Sequence, residues 1–373
     1  MQTKGLALFA LLLLPLRPTL AADAAAVTLV TPIVYGTHLP GLGEPASRLA
    51  KLITERSRGS LVLDIKQPGD GTKPQEILDK VSSGGVDAGF ATASFWAAKI
   101  PAAALFAGFP FGPDGKTYLD WFENGDGMTL YQEMYDHAGA KVHVMPCAFG
   151  GAEAGGWFAK EIKRPDDIKG LRMRIFGLGG RVMSKLGATT VLVPGGNLVK
   201  AFDKGDIDAA EFYTPAADRE QDLKSKVKLI YVPGWHQPET VLELLVNKDR
   251  WNALTPEQRT LVEGACRTVL DATLAEETKL QADALAELAA KDGVRIADWP
   301  DEVLAALRSA WADVAKEEGR EDYFFKTVLD DIEKFRARSQ SASDSQGAPA
   351  AQAARPQQAA PRPQAAPAPQ ASP

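Results

Sequence analysis

Hydrophobic and polar positions along this chain switch repeatedly between a period of two and a period near 3.6, and the switches mark out its elements. Residues 27–33 form a β-rich apolar run, residues 46–55 carry apolar positions at helical spacing, and residues 61–66 are strand-like again, closed by Pro68-Gly69. Residues 75–83 read as a helix and residues 87–92 as a short buried strand. A second set starts near residue 141, with strands at 141–146, 156–159, 173–175, 190–193 and 209–212 and helices at 180–186 and 197–204. This alternation predicts α/β units on a mostly parallel sheet. Thr255-Pro256-Glu257 is a helix start, with Thr as cap and Pro in the first position, and residues 254–290 are rich in Ala, Glu and Leu. Pro300 interrupts, Asp301 begins another helix, and Trp311, Phe324, Phe325, Leu329 and Ile332 give it an apolar side.

The two ends depart from this pattern. Lys4, an apolar run from 5 to 16 and the small residues Ala21-Ala22-Asp23-Ala24 have the layout of a secretory signal, too short to span a bilayer comfortably. Arg17 directly after the apolar run keeps an uncleaved anchor as the alternative. From Ser339 onward the chain is dominated by Ala, Pro, Gln and Ser, a composition with too little apolar surface to offset ordering entropy. The resulting division is a signal over 1–24, a first α/β lobe over 27–150 and 236–300, and a second over 151–235. A helical segment at 301–338 and a disordered tail at 339–373 complete it.

Composition narrows the chemistry. With 42 Lys and Arg against 48 Asp and Glu, the net charge is -6, and no basic run is present to hold nucleic acid. Two cysteines, Cys147 and Cys266, exclude a disulfide scaffold and a four-Cys zinc site but leave one disulfide open. The four histidines form no metal-ligand spacing, Ser94 has no nucleophile-elbow context, and the glycines of residues 176–180 lack a dinucleotide fingerprint. The chain therefore reads as a binding protein and not an enzyme. Two α/β units in an exported chain suggest two lobes whose loops meet at one cleft.

Four segments in order carry a family resemblance: LPGLGEPASRLAKLI (39–53), SSGGVDAGFATASFWAAKIPAAALFAGFPFG (82–112), GGWFAKEIKRPDDIKGLRMRI (155–175) continued by KLGATTVLVPGGNLVKAFDKGDIDAAEFYTP (185–215), and PGWHQPETVLELLVNKDRWNALTPEQ (233–258). Together they resemble the solute-binding receptors of TRAP (tripartite ATP-independent periplasmic) transporters, in the branch that binds 2-oxo acids and other small monocarboxylates. The resemblance implies a bilobal α/β fold of the periplasmic-binding-protein type with a long C-terminal helix. It also implies a periplasmic receptor that closes on a pyruvate- or lactate-like acid and delivers it to a membrane permease. A larger organic acid, or service to a sensor, stands as the alternative. A homodimer through the C-terminal helix is also left open.

Arg172 and Arg174 lie two apart in a strand-like segment and so face one side of the sheet. By resemblance Arg174 falls on the carboxylate-binding arginine, whose guanidinium forms paired hydrogen bonds that Lys cannot match. Arg172 falls on a commonly basic position without a ligand role. The alternative for both is an ion pair with Asp166 or Asp167. The resemblance further implies a cation bridging ligand and protein. It places Glu153, Glu211, the Phe212 carbonyl and Gln237 as metal candidates, with Phe212 replacing the usual Trp, and with Glu153 and Gln237 standing where the family often has Gln and Glu. Oxygen donors suit calcium or sodium, and two acids favour calcium. Glu153, Phe212, Phe95 and Trp96 are ligand-contact candidates, while core packing is the better reading of Trp157. Asn197, after Gly195-Gly196 at a strand-to-helix turn, is a departure from the family's acid and a candidate near an anion held by free N–H groups.

Overall fold

The computed structural model describes residues 26–345 apart from Pro194 and Gln221. The expected signal and residues 346–373 of the expected tail lie outside the described residues. Where the apolar alternation is clean the elements follow it: β1 (Val27–Pro32) and β2 (Leu61–Lys66) pair in parallel, with Val27 opposite Leu61. The helix Glu44–Arg56 between them buries Ala46, Leu49 and Ile53. β3 (Ala88–Ala91) follows, then β4 (Val142–Phe149).

After β4 the chain crosses to a second lobe and builds β5 (Gly156–Phe158), β6 (Arg172–Arg174), β7 (Thr189–Thr190), β8 (Ala209–Ala210) and β9 (Leu229–Val232). It then returns as β10 (Val241–Asn247), a strand buried along its whole length that inserts between β3 and β4. That insertion makes the β3–β10–β4 sheet antiparallel, against the expected mostly parallel arrangement. The cause is the return crossing, which delivers β10 from the opposite end of the lobe. In the second lobe β5 also runs against both its neighbours, while β6 lies parallel to β7 and β8.

The helix Pro256–Asp292 is opened by a capping box in which Thr255 Oγ1 accepts from Gln258 N–H at 3.2 Å and Gln258 Oε1 accepts from Thr255 N–H at 3.0 Å. Gly293 closes it in the left-handed conformation at φ +64°. Its 37 residues extend about 55 Å and serve both lobes. Val262, Ala265, Val269 and Leu270 belong to the first lobe's core, whereas Leu288 packs with Trp157 and Phe212 in the second. β11 (Arg295–Asp298) then adds to β9, and the helix Asp301–Glu321 buries Val303, Leu307 and Val314 against the second lobe. The stretch assigned from sequence to the first lobe up to residue 300 therefore changes lobes within the long helix, and β11 was not foreseen. The last helix, Tyr323–Ser345, returns to the first lobe with Phe325, Val328, Ile332 and Phe335 in its core. These four side chains of its apolar side are thus covered within the chain. It also extends six residues past Ser339, where the sequence suggested the tail begins. Cys147 of β4 and Cys266 of the long helix form a disulfide, answering the pairing left open by their spacing.

Candidate functional site

Register places the first two site residues. In β6 and β8, Arg174 stands opposite Ala210, and the next residue, Glu211, donates its N–H to the Arg174 carbonyl at 2.9 Å. The Arg174 side chain turns back on Glu211: Nη1 donates to Glu211 Oε2 at 3.1 Å and to the Glu211 carbonyl, while Nε donates to the Val193 carbonyl at 3.3 Å. Its guanidinium carbon lies 4.7 Å from the Phe176 ring centre and 5.5 Å from that of Phe212. Arg174 is 6% exposed, so this cation is held almost out of water. Arg172, by contrast, pairs with Asp208 at 2.7 Å on a half-exposed edge. That pair replaces the partners weighed from sequence, since Asp166 pairs with Lys169 and Asp167 accepts the Lys163 and Arg164 N–H groups.

The two crossing segments supply the rest. Glu153 N–H donates to the Gln237 carbonyl at 3.1 Å and Gly234 N–H to the Glu153 carbonyl at 2.9 Å, zipping residues 150–155 to 233–240. Gly234 has no room for a side chain, because a Cβ there would lie 2.3 Å from the Glu153 carbonyl oxygen. The zip aims Glu153 at His236, whose Nε2 is 3.0 Å from Glu153 Oε2, and at Gln237, whose Nε2 donates to Glu153 Oε1 at 2.8 Å. Gln237 Nε2 also donates to Thr240 Oγ1 at 3.0 Å. Its amide nitrogen is therefore engaged, and Gln237 can reach an ion only through its carbonyl oxygen.

Glu153, Glu211 and His236 are all buried, and each offers a donor atom within 4.8 Å of the others. Both carboxyls stand raised to about 8, chiefly through burial; the Glu153 charge also raises Glu211, while Arg174 pulls both down. Burial lowers His236, which keeps its imidazole neutral. Arg174 is the counter-charge to Glu211, so two buried acids and a neutral imidazole beside one guanidinium form a site that favours a further cation. A cation with oxygen ligands at about 2.3–2.6 Å keeps its donors within about 5 Å of one another, so the observed spread suits one ion. His236 was missed from sequence because it has no histidine partner nearby in the chain. Its signal was its place beside Gln237 in GWHQP.

The aromatic candidates divide. Phe95 is half-buried and meets Tyr35 edge-on at 5.8 Å, and Tyr35 meets Tyr213 at 5.0 Å, with Phe212 a further 4.2 Å beyond Tyr213. This file of rings runs from the first lobe to Arg174. Trp96 is instead turned into the first lobe's core, 2% exposed, with Nε1 donating to Glu243 at 2.9 Å, because β10 buries a carboxylate that also needs Tyr131 and Tyr135 as donors. Trp157 is core, donating to Asp218 at 2.8 Å. Asn197 is exposed, and it is the Val193 carbonyl, not Asn197, that the loop sends to Arg174.

Two α/β lobes joined by zipped crossings, with a buried arginine, two acids and an imidazole at the junction, form a site suited to holding a small charged solute. Residues 41–322 match the bacterial extracellular solute-binding proteins of family 7. The monocarboxylate 2-oxoacid-binding periplasmic protein of Nostoc sp. is 34% identical over 291 residues, 78% of this chain and 79% of that relative. The solved TRAP periplasmic solute-binding protein of Colwellia psychrerythraea, with bound calcium and pyruvate, has a TM-score of 0.80 at 27% identity. Its counterpart from Pseudoalteromonas atlantica, with bound sodium and pyruvate, scores 0.79 at 27% identity. Each of these matches covers 86% of this chain and 97% of the relative. The chain belongs to this family, the solute receptors of TRAP transporters.

Proposed function

We propose that this receptor binds a small 2-oxo or 2-hydroxy monocarboxylate of the pyruvate or lactate kind, exported to the periplasm by its N-terminal segment and serving a membrane permease. The observation that carries this reading is a buried arginine between two aromatic rings, directly beside a buried cluster of two carboxyls and an imidazole. Arg174 is the group that grips the ligand's carboxylate. Glu153, Glu211 and the Phe212 carbonyl hold the bridging ion, with His236 as an added donor and Gln237 fixing Glu153. The ion, when bound, supplies the positive charge that lets both buried carboxyls ionise and offers coordination positions to the ligand's oxygens. Two acids in the donor set favour calcium over sodium. The rings of Phe95, Tyr35, Tyr213 and Phe212 run as an aromatic wall up to Arg174, which suits an acid with a short apolar tail. The names of the Nostoc, Colwellia and Pseudoalteromonas relatives support the same ligand class.

Thermal unfolding of the mature chain against a panel of small carboxylates tests this, since a ligand that binds only the folded state raises the midpoint. Pyruvate or lactate is expected to raise it with calcium present and to lose most of that effect in EDTA. A rise indifferent to EDTA would remove the divalent ion, and no rise with any small acid would remove the ligand class.

A further inference from the structure

The strand alternation that places Arg174 continues two residues past it. Phe176 is extended, at φ -138° and ψ -173°, so it shares the face of Arg174, while Ile175 between them enters the second lobe's core. Gly177 follows at φ +62°, a left-handed conformation that favours glycine, and turns the chain directly into the helix Gly177–Lys185. The Phe176 carbonyl accepts from Gly180 N–H at 3.2 Å, which fixes the backbone beneath the ring. The ring thus stands against the guanidinium, whose carbon lies 4.7 Å from its centre. Phe176 is nevertheless 51% exposed, whereas Arg174 is 6% exposed. Together with Leu192, Thr190 and Arg181 it lines an open groove of about 520 Å³ on the second lobe. Phe212, the other ring beside the guanidinium at 5.5 Å, is buried and belongs to the core. Arg174 therefore has one ring on its core side and one on its solvent side.

We propose that Phe176 is a positioning residue for the arginine that grips the ligand: its ring closes Arg174 off from the groove and holds the guanidinium against its π face. This rests on the role given to Arg174 above. A guanidinium kept out of water gives up hydration, and a ring face within about 6 Å returns part of that electrostatically. Hydrogen bonds to Glu211 and the Val193 carbonyl engage Nη1 and Nε, and among the described residues none engages Nη2. The ring adds a restraint without occupying any N–H group, so the remaining donors stay free for a carboxylate. With the ring removed, groove water reaches the charge, and a pair between arginine and carboxylate weakens as the local dielectric rises. An aliphatic side chain covers part of the same surface but has no π face.

The test is calorimetric titration of pyruvate into the calcium-loaded full chain at low and high salt, comparing wild type, Phe176→Leu and Phe176→Tyr. Calcium content is measured separately in the absence of pyruvate. Phe176→Leu is expected to lose affinity about tenfold, and more steeply as salt rises, at wild-type calcium content. Phe176→Tyr keeps the π face, and the open groove leaves space for its hydroxyl, so it is expected to stay within about threefold of the wild type. Wild-type affinity in Phe176→Leu would overturn the inference. An equal loss in both variants would also overturn it, because packing and not the π face would then hold the arginine. Loss of calcium together with pyruvate in Phe176→Leu would do the same by making the role structural. Arg174→Ala, titrated alongside, separates this inference from the reading beneath it. Lost binding in Arg174→Ala with an unaffected Phe176→Leu removes Phe176 alone, whereas wild-type affinity in Arg174→Ala removes the arginine's role and this inference with it. If the wild type binds neither pyruvate nor lactate, the proposed ligand class fails and the inference falls with it.

Discussion

Arg174 is the group proposed to grip the ligand, and its surroundings suit an arginine. Nη1 and Nε are engaged by Glu211 and the Val193 carbonyl, yet the planar fork keeps further donors for a ligand. A lysine would offer a point charge and could not hold both. At the same scale, Glu277 makes a separate prediction about pH. This residue of the long helix lies beside the buried carboxyl of Glu239, whose Oε1 accepts the Gly151 and Thr240 N–H groups of the two crossings at 2.8 and 2.7 Å. Burial pushes Glu277 from 4.5 up to about 7. The folded chain then holds this proton more tightly than the unfolded chain, so its contribution is fully present below about 4.5 and is lost as pH rises through about 7. Denaturant unfolding at pH 5 and pH 8 checks this. Glu277→Gln is expected to flatten the decline by on the order of 1–3 kcal/mol, and an unchanged pH slope would contradict it.

Among the elements, the disulfide between β4 and the long helix makes the sharpest claim. It joins residues 119 apart across the first lobe's core, so its removal frees a long loop in the unfolded chain. Replacing Cys147 and Cys266 together by Ala is expected to lower stability by about 2–5 kcal/mol while leaving carboxylate affinity unchanged, as read by denaturant titration and calorimetry. What was legible in the sequence follows the same division between local and distant causes. β2 could be read because Leu61, Leu63 and Ile65 alternate with partners that do not have to be known. β11 could not, because Arg295–Asp298 is half-exposed and exists as a strand only by pairing with β9. Arg174 and Glu211 could be placed because their segments carry family motifs. His236 escaped because its partner Glu153 is 83 positions away, and Trp96 misled because the carboxylate that draws it inward, Glu243, is 147 away.

In the whole molecule, the two crossings and the long helix, which pass between the lobes, also touch the site or brace it. The crossings carry Glu153 and His236, the long helix carries Glu277 and Gln281, and the final helices pack first on the second lobe and then on the first. Gln281 donates to the Gly150 carbonyl at 3.0 Å and accepts from Ala216 N–H at 2.9 Å, tying the helix to both sides of the junction. If a ligand binds at Arg174 as proposed, such a frame would carry its occupancy into the relative position of the two lobes, which is the form of signal a permease can read. The central claim is that Arg174 grips a small carboxylate. Calorimetric titration of pyruvate into calcium-loaded wild type and Arg174→Ala, with circular dichroism as a check on folding, tests it most directly. The account predicts one-to-one binding by the wild type and a loss of at least about a hundredfold in a folded variant. Affinity within a few-fold of wild type in Arg174→Ala would contradict it.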